Sequence, residues 1–390
     1  MTKNILKIVV SVAVSLVAGY LALRNVQLDQ VMDGIKRADV TSVVVVMILL
    51  AGAQVLRSVR WGLLLAPLEQ FSQRLLLPVT CIGFLFVWIL PARLGEVARP
   101  YLLSQNSKVD LSPAMGSVVL ERLIDSTFLV VLLAICLPAL RLPSLILSSF
   151  KGFVFILLAA VLLVLLGSLP GFRERFFQVA SRILPASLSD FLTRTAETFY
   201  SGMQAVTSPK RLLAILALTS VIWAVAIATL WVLFRSMDLQ LGLLAGITVL
   251  VLTCIGIALP AAPGFIGNYH YACVVALGLF GVGKDIALAY AILLHFLTLA
   301  VLVIMGVFFI NVSKLKVRFS LKSAVSSWQQ AAGSPATERG TGTQHAEGSE
   351  HKERCQVSGV GGQRAAGSEQ QAEDSERDLT AEDAENVEEI

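Results

Sequence analysis

Charge is scarce in this sequence. Only 15% of the 390 residues are charged, whereas 56% are hydrophobic, and the mean hydropathy is +0.75. Such a composition excludes an ordinary soluble domain and indicates a polytopic membrane protein, because a soluble fold needs a polar surface to cover its core. The basic residues concentrate in the first three quarters of the chain, and the last sixty or so residues are acidic and polar. We expect membrane lipids as partners and no nucleic acid.

Paired cysteines and common catalytic motifs are also missing. The five cysteines show no paired spacing and four lie in apolar runs, which argues against a disulfide framework or a zinc site: Cys81, Cys136, Cys254, Cys273 and Cys355. Neither Gly-x-Ser-x-Gly nor Gly-x-x-x-x-Gly-Lys followed by Ser or Thr occurs. We expect no metal and no cofactor, and a transporter is favoured over an enzyme.

The apolar runs predict an all-α membrane protein of about eight transmembrane helices. The runs are Ile5–Leu23, Val40–Leu56, Leu75–Leu90, Pro113–Leu140, Phe153–Leu169, Leu212–Phe234, Leu241–Leu259 and Ile286–Ile310. A short polar connection, 24–39, follows the first run, and an Arg-rich connection with helical periodicity spans 170–209. From about residue 320 large apolar residues nearly vanish, so we predict a membrane domain at 1–319 and a disordered tail at 320–390.

The basic residues predict the orientation of the chain. Lysines at positions 3 and 7 precede the first run, and basic residues at 314–318 follow the last, which puts both termini in the cytoplasm. Arg57-Ser-Val-Arg60-Trp61, after the second run, has the composition of a basic and aromatic membrane-interface edge. The Arg-rich connection also falls inside only if residues 75–104 enter the membrane and return.

Two Pro- and Gly-punctuated breaks interrupt apolar runs in the two halves of the chain. The first lies within Ile89–Tyr101 and the second within Pro260–Gly267. Broken helices persist in hydrocarbon only where protein or a wet cavity shields the backbone, and paired breaks indicate a transporter site near the membrane midplane. We therefore predict two re-entrant segments, compatible with an inverted repeat, with hinge positions at Pro91, Gly95, Pro260, Pro263, Gly264 and Gly267. The alternative is two ordinary loops.

Three charges lie inside the predicted span 113–140. Each costs roughly 2.5–3.5 kcal/mol near a helix centre, and Glu121 and Asp125 share one helical face. A helix facing lipid would not carry Glu121, Arg122 and Asp125 together, so we predict a buried network with Arg93 or Arg99, or with Arg57 and Arg60. The alternative is a span that starts later and leaves the three charges at the water interface.

Polar residues follow the second break. Asn268 and His270 lie just beyond the glycines, and His270 could couple transport to protons because histidine titrates near neutral pH. The alternative is a structural histidine held by hydrogen bonds, and the same applies to His295.

Several motifs in one order resemble the lysylphosphatidylglycerol synthase transmembrane-region family over about 5–312. They are Arg57-x-x-Arg60-Trp61-x-x-Leu-Leu, Leu90-Pro-Ala-Arg-Leu-Gly-Glu96-x-x-Arg99, Glu121-Arg122-x-x-Asp125 and Pro260-x-x-Pro263-Gly264-x-x-Gly267. The resemblance implies an inner-membrane protein that moves a lipid headgroup between leaflets. We expect a stand-alone member without the aminoacyl-transferase domain, which would not make lysylphosphatidylglycerol.

The leading hypothesis is a flippase or transporter with a central cavity. Arginines at 93, 99 and 122 would bind an anionic phosphate, and the acidic residues would orient them or bind a cationic headgroup. The complete predicted set is Arg57, Arg60, Arg93, Glu96, Arg99, Glu121, Arg122, Asp125, Asn268 and His270. Alternatives are a membrane-embedded transferase acting on a phospholipid or polyprenyl-linked substrate, and an accessory subunit in envelope biogenesis.

Overall fold

A computed structural model describes residues 2–90, 95–137, 208–259 and 261–316, with isolated positions between 152 and 171 and residue 202; side chains are described from residue 12 onward. These residues form ten α-helices and one short 3-10 turn, Pro263–Phe265. The helices are α1 Thr2–Leu23, α2 Leu28–Lys36, α3 Val40–Leu65, α4 Gln73–Ile89, α5 Gly95–Asn106, α6 Leu111–Cys136, α7 Pro209–Ser236, α8 Leu243–Ala258, α9 Asn268–Gly278 and α10 Lys284–Val312.

Among the described residues, three helices are long and apolar enough to cross a membrane. They are α3, α7 and α10, with 26, 28 and 29 residues, and a helix of about 20 residues already spans the hydrocarbon core. Helix α6 is equally long at 26 residues but carries three charges in its middle. The prediction of an all-α membrane protein is confirmed. The predicted fifth span, most of the 170–209 connection and the tail from 320 lie outside the described residues, so the domain boundary at 320 stays a prediction.

The first break forms a helical hairpin. Helix α4 ends at Leu90, whose φ of −80° and ψ of 140° are extended, because a residue before proline is excluded from the helical region and Pro91 follows. The chain returns antiparallel in α5. A Cβ added to Gly83 would lie 2.7 Å from the Cβ of Arg99, and one added to Gly95 would overlap the backbone of Val87. These glycines permit the close approach of the two helices, as a re-entrant segment requires.

The second break also forms a helical hairpin. Helix α8 ends at Leu259 with φ −67° and ψ 155°, again directly before a proline. The chain turns through Gly264 and Gly267, whose φ values of 72° and 91° favour glycine. Helix α9 then returns along α8. The two helices are in close contact at Gly256, where an added Cβ would lie 2.7 Å from the Cβ of Ala272. The prediction of two broken helical segments is therefore confirmed.

The element order occurs twice. A long helix, a hairpin and a second long helix form α3 to α6, and the same order forms α7 to α10. Each half packs on the other in the same way. The first helix of each hairpin packs on the last helix of the other half, α4 on α10 and α8 on α6, and the two leading helices, α3 and α7, pack together. Helices α3 and α7 run antiparallel, since Asp39 N donates to Ser236 O (3.3 Å) and Arg60 donates to Thr219 (3.0 Å). The two halves thus form an inverted repeat, the arrangement common in secondary transporters.

The two large apolar clusters of the described residues correspond to the two halves of the repeat. One cluster surrounds the first hairpin and includes Trp61, Leu76 and Leu102. The other surrounds the second hairpin and includes Phe234, Tyr269 and Tyr290. Each hairpin therefore has its own apolar packing.

Helix α3 is longer than the sequence predicted. It continues to Leu65, so Arg60 and Trp61 are fully buried inside the protein rather than at a membrane interface. The buried network is therefore the interpretation that applies to Arg60, which pairs with the carboxylates of α6 as predicted. The start of α3 is capped by Asp39, whose carboxylate accepts a hydrogen bond from Ser42 N at 2.8 Å.

The 24–39 connection is also not simply a polar linker. It contains α2, a nine-residue helix that packs on α10 and buries Val31 and Gly34. Gly34 allows this contact, because a Cβ there would lie 2.9 Å from the Cβ of Ala289. Leu28, Val31 and Ile35 have the spacing of apolar residues on one helical face, which predicts a short amphipathic helix. The sequence analysis overlooked this spacing because the connection is short and polar.

Candidate functional site

Described residues beside the two breaks pack against each other. Trp88, at the end of α4, contacts the Phe265 ring edge-on at a centroid distance of 5.4 Å. The same indole lies 6.4 Å from the ring of Tyr269 and 5.0 Å from that of His295. The two breaks, 170 positions apart in the chain, therefore converge on one aromatic junction.

A cavity of about 730 Å³ lies beside this junction. Such a volume is typical of small-molecule sites, which range from about 300 to 1,000 Å³. Most of its wall is apolar and comes from α6, α7, α8 and α10. Six predicted site residues lie together at its charged end: Arg57, Arg60, Glu96, Glu121, Arg122 and Asp125.

A buried ion cluster forms the centre of the charged end. Arg60 donates to both oxygens of Asp125, at 2.6 and 3.0 Å, and to Glu121 Oε1 at 2.8 Å. Arg60 and Glu121 are only 2% and 1% exposed. This chelation joins α3 to α6 and explains why α6 tolerates carboxylates in its middle, since a buried charge needs a hydrogen-bonded partner.

Arg99 completes the cluster from the first hairpin. Its guanidinium donates to Glu121 Oε2 and stacks over Trp61 at 4.6 Å and Phe84 at 5.4 Å. The Trp61 indole N–H in turn donates to Ser117 Oγ at 3.1 Å. Arg99 is 3% exposed and lies behind the cavity wall rather than in it, so its contacts fix α5 to α6.

A second ion pair lies at the cavity surface. Arg122 donates to Glu96 Oε2 at 3.2 Å, and the two side chains are 39% and 25% exposed. Its other contact, with Asp125, is longer at 3.9 Å. This pair connects α5 to α6 in the cavity wall, and its partial exposure leaves it accessible to a bound molecule.

Arg57 differs from the other three arginines. It lines the cavity and stacks over the ring of Phe84 at 5.3 Å, yet the described residues offer it no carboxylate within ion-pair distance. One turn earlier on α3, Gln54 also lines the cavity, and its Oε1 has no hydrogen-bond partner among the described residues. Together with Arg99 behind its wall, the charged end has four guanidiniums and three carboxylates in the described part of the chain, an excess of one positive charge.

The two polar residues of the second break lie away from the cavity. Asn268 is 3% exposed and its side chain donates to the carbonyl of Gly256 at 3.5 Å. His270 accepts the Gly267 N–H on Nδ1 at 3.4 Å and stacks on His295 at 4.8 Å. These contacts cap α9 and pack it on α10, which is the structural alternative for both residues.

Three predicted residues, Pro91, Arg93 and Pro260, lie outside the described part of the chain. Among the hinge positions that are described, Gly264 approaches the Trp88 carbonyl, and a Cβ on Gly267 would overlap the Ser15 carbonyl of α1. Within the described residues, no group of three or more His, Cys, Asp or Glu side chains converges as a metal site.

Sequence reasoning missed two residues that line the cavity and one that supports the ion cluster. Gln54 and Trp223 line the cavity with unpartnered polar atoms, and Thr219 accepts from Arg60. Gln54 could have been found from its spacing, because it lies three residues before Arg57 in an apolar helix. Nothing in the local sequence distinguishes Trp223 or Thr219, since their roles depend on the packing of α7 against α3.

The fold and this site define a class: an α-helical membrane protein in which two inverted helical hairpins enclose a charged cavity. The chain belongs to the lysylphosphatidylglycerol synthase TM region family, which matches residues 8–306. The resemblance found from the four motifs is thereby confirmed.

Two curated relatives are described only as membrane proteins. A UPF0104 membrane protein of Methanocaldococcus jannaschii is 29% identical over 224 residues, which cover 56% of this chain and 89% of the relative. A UPF0104 membrane protein of Methanothermobacter thermautotrophicus is 23% identical over 319 residues, covering 76% and 93%. The similarity to the second relative extends over most of both chains.

Proposed function

We propose that this protein is a flippase-like lipid transporter that moves a phospholipid or other lipid-linked anionic headgroup across the membrane. The observation that carries the proposal is the amphipathic cavity between the hairpin tips. One end holds the charged cluster, and the remaining walls are apolar. A lipid has the same division between headgroup and chains, and no water-soluble solute needs such a long apolar wall.

The energetics favour this use of the cavity. A charged headgroup cannot cross hydrocarbon alone, because each charge near the bilayer centre costs several kcal/mol. The guanidiniums at the charged end supply compensating charge and hydrogen bonds at that depth. The apolar walls can cover part of the acyl chains meanwhile. The inverted repeat adds a plausible mechanical basis, since alternating access commonly arises from exchange between inverted halves.

The transferase alternative receives less support from the same geometry. A membrane-embedded transferase needs an acid or base that can exchange a proton with its substrate. Both oxygens of Glu121 accept from guanidiniums, one from Arg60 and one from Arg99. Both oxygens of Asp125 accept from Arg60. Such fully engaged carboxylates suit a fixed electrostatic scaffold better than a proton-transfer role.

The location and orientation belong to the same proposal. We place the protein in the cytoplasmic (inner) membrane with both termini in the cytoplasm, on the basic residues at positions 3, 7, 314 and 316. Cysteine-accessibility labelling of single-cysteine variants in intact cells and inverted vesicles tests it. Labelling of a terminal cysteine from the outside of intact cells would refute the orientation.

A scrambling assay tests the transport function. Purified protein is reconstituted into liposomes that contain a trace of phosphatidylglycerol with a fluorescent chain, and dithionite bleaches the outer leaflet. The expected result is bleaching beyond half of the signal, and a clear decrease of that excess in Arg122→Gln. The matched control is Arg235→Gln, because Arg235 is exposed and stacks on Trp231 away from the cavity. Bleaching no greater than in protein-free liposomes would overturn the proposal, and conversion of the lipid to a new product would favour the transferase.

A further inference from the structure

The four arginines at the charged end divide into two groups. Three of them neutralise the carboxylates: Arg60 and Arg99 share Glu121, Arg60 also chelates Asp125, and Arg122 pairs with Glu96. Every oxygen of Glu121 and Asp125 is occupied by these contacts. Arg60 and Arg99 therefore serve the protein's own buried charges, and Arg122 is paired at the cavity surface. Arg57 remains as the cation without an ion pair within the described residues.

The surroundings of Arg57 suit an anion. Its guanidinium lies over the Phe84 ring at 5.3 Å, a cation–π contact that does not use up the N–H donors of the group. It lines the cavity and is only partly buried. Arginine binds phosphate oxygens in pairs through two parallel N–H donors. Arg57 thus offers a positive charge with unused donors at the charged end of the cavity.

Gln54 supplies the second half of the site. It lies one turn before Arg57 on the same face of α3 and is 4% exposed. Its Oε1 has no partner in the described part of the chain, and a buried amide oxygen without a partner is costly. A hydrogen-bond donor on the ligand would satisfy it. On α7, which packs on α3, the indole N–H of Trp223 also lines the cavity, lacks a partner among the described residues and can donate to a ligand oxygen.

We infer that Arg57 and Gln54 form a subsite for a phosphodiester monoanion whose headgroup carries a hydroxyl or ammonium donor next to the phosphate. Arg57 binds the phosphate oxygens, Gln54 Oε1 accepts from the headgroup donor, and Arg60 and Arg99 hold the scaffold without touching the ligand. The single excess positive charge of the described cluster matches one phosphodiester charge. This inference rests on the proposed lipid transport, because it names the substrate class for the same cavity.

Equilibrium binding tests the subsite without requiring transport. Trp88 and Trp223 line the cavity, so lipids brominated on the acyl chain will quench tryptophan fluorescence when they bind. The purified protein in non-ionic detergent micelles is titrated with brominated phosphatidylglycerol, whose glycerol carries hydroxyl donors. Brominated phosphatidylcholine, whose headgroup carries no such donor, is titrated in parallel. Competition by soluble glycerol phosphate distinguishes a site for lipid headgroups from a site for free phosphate esters.

The expected results separate charge from shape. Arg57→Gln weakens phosphatidylglycerol binding by about tenfold or more, because a charge-assisted bidentate contact is lost. Arg57→Lys recovers part of the affinity, because it keeps the charge but not the fork. Gln54→Leu lowers affinity severalfold and reduces the preference over phosphatidylcholine. Arg235→Gln, at an exposed cation–π arginine, leaves binding unchanged. Size-exclusion profiles and thermal midpoints matching the wild type show that each variant is folded.

Several outcomes would overturn the inference. They are wild-type affinity in Arg57→Gln, or an unaltered preference for phosphatidylglycerol over phosphatidylcholine in Gln54→Leu. Competition by glycerol phosphate at the affinity of the lipid would show a site for soluble esters instead. If the wild type scrambles lipid and Arg57→Gln scrambles equally well, the subsite is refuted and the transport function stands. If the wild type binds phosphatidylglycerol through Arg57 but does not scramble lipid, the transport function fails while the subsite remains.

Discussion

Replacing Glu121 by glutamine tests the ion cluster most directly. The substitution keeps the size of the side chain and removes one negative charge from a site that is 1% exposed. It leaves Arg99 without a carboxylate partner in the described residues and leaves Arg60 with Asp125 alone. The glutamine amide also turns a donor toward one of the two guanidiniums, where the carboxylate had only acceptors.

The expected cost follows from these contacts. Breaking one side of a buried ion pair typically costs about 3–5 kcal/mol, because the remaining charge is left buried and uncompensated. Two arginines lose a partner here, but Arg60 keeps the closer of its carboxylates, with Asp125 Oδ1 at 2.6 Å. We therefore expect Glu121→Gln to lower the free energy of unfolding by about 3 kcal/mol, at the lower end of that range.

The measurement is unfolding by sodium dodecyl sulfate in mixed micelles, followed by circular dichroism. A double-mutant cycle with Arg99→Met adds a stricter test, since that change removes the cation left unpaired. The double variant should be more stable than the sum of the single changes predicts, by about 1–3 kcal/mol. A loss below about 1 kcal/mol in Glu121→Gln, or strict additivity in the cycle, would refute the buried cluster as described.

Three further predictions use the same unfolding assay. Arg122→Ala should cost only about 0–1 kcal/mol, because this side chain is 39% exposed and its ion pair is screened; a cost as large as that of a buried pair would contradict this. Gly95→Ala should cost about 1–3 kcal/mol, because its Cβ would overlap backbone of α4. The matched control, Gly52→Ala, should be neutral or stabilising, since a Cβ there meets nothing within 4 Å; equal effects would refute the close packing. The backbone hydrogen bond to the carboxyl lowers the pKa of Asp39, so its stabilising effect should be complete above about pH 4 and lost as the pH falls through the lowered value. Asp39→Asn, which keeps the cap, should lack that acid-dependent loss in thermal midpoint.

The breaks could be predicted from sequence because their cause is local. A residue before proline cannot stay helical, so the Leu-Pro pairs at 90 and 259 mark where α4 and α8 end. The need for a charged partner was equally visible, since three ionisable residues in one apolar span require countercharges. The partners named in advance included Arg60 and Arg99, which do bind Glu121.

The roles of individual arginines could not be predicted, because they depend on distant contacts. Arg57 and Arg60 lie three residues apart in the same motif, yet one chelates two carboxylates and the other has none in the described residues. That difference is set by α6, which begins about fifty residues later, and by the way Phe84 covers Arg57. Sequence spacing shows which residues share one face of a helix, but it does not show which side chains of other helices contact that face.

The two repeats share a backbone plan but not a distribution of charge. In the first half, the helix after the hairpin carries Glu121 near its middle. In the second half, the corresponding helix carries His295 at a similar depth, and that ring packs against Trp88 and Tyr269. The cavity consequently has a charged end and an aromatic end. Under the proposed transport function, the headgroup of an anionic lipid would therefore be bound by the first half of the chain, which supplies every charged residue that lines the cavity in the described part of the chain.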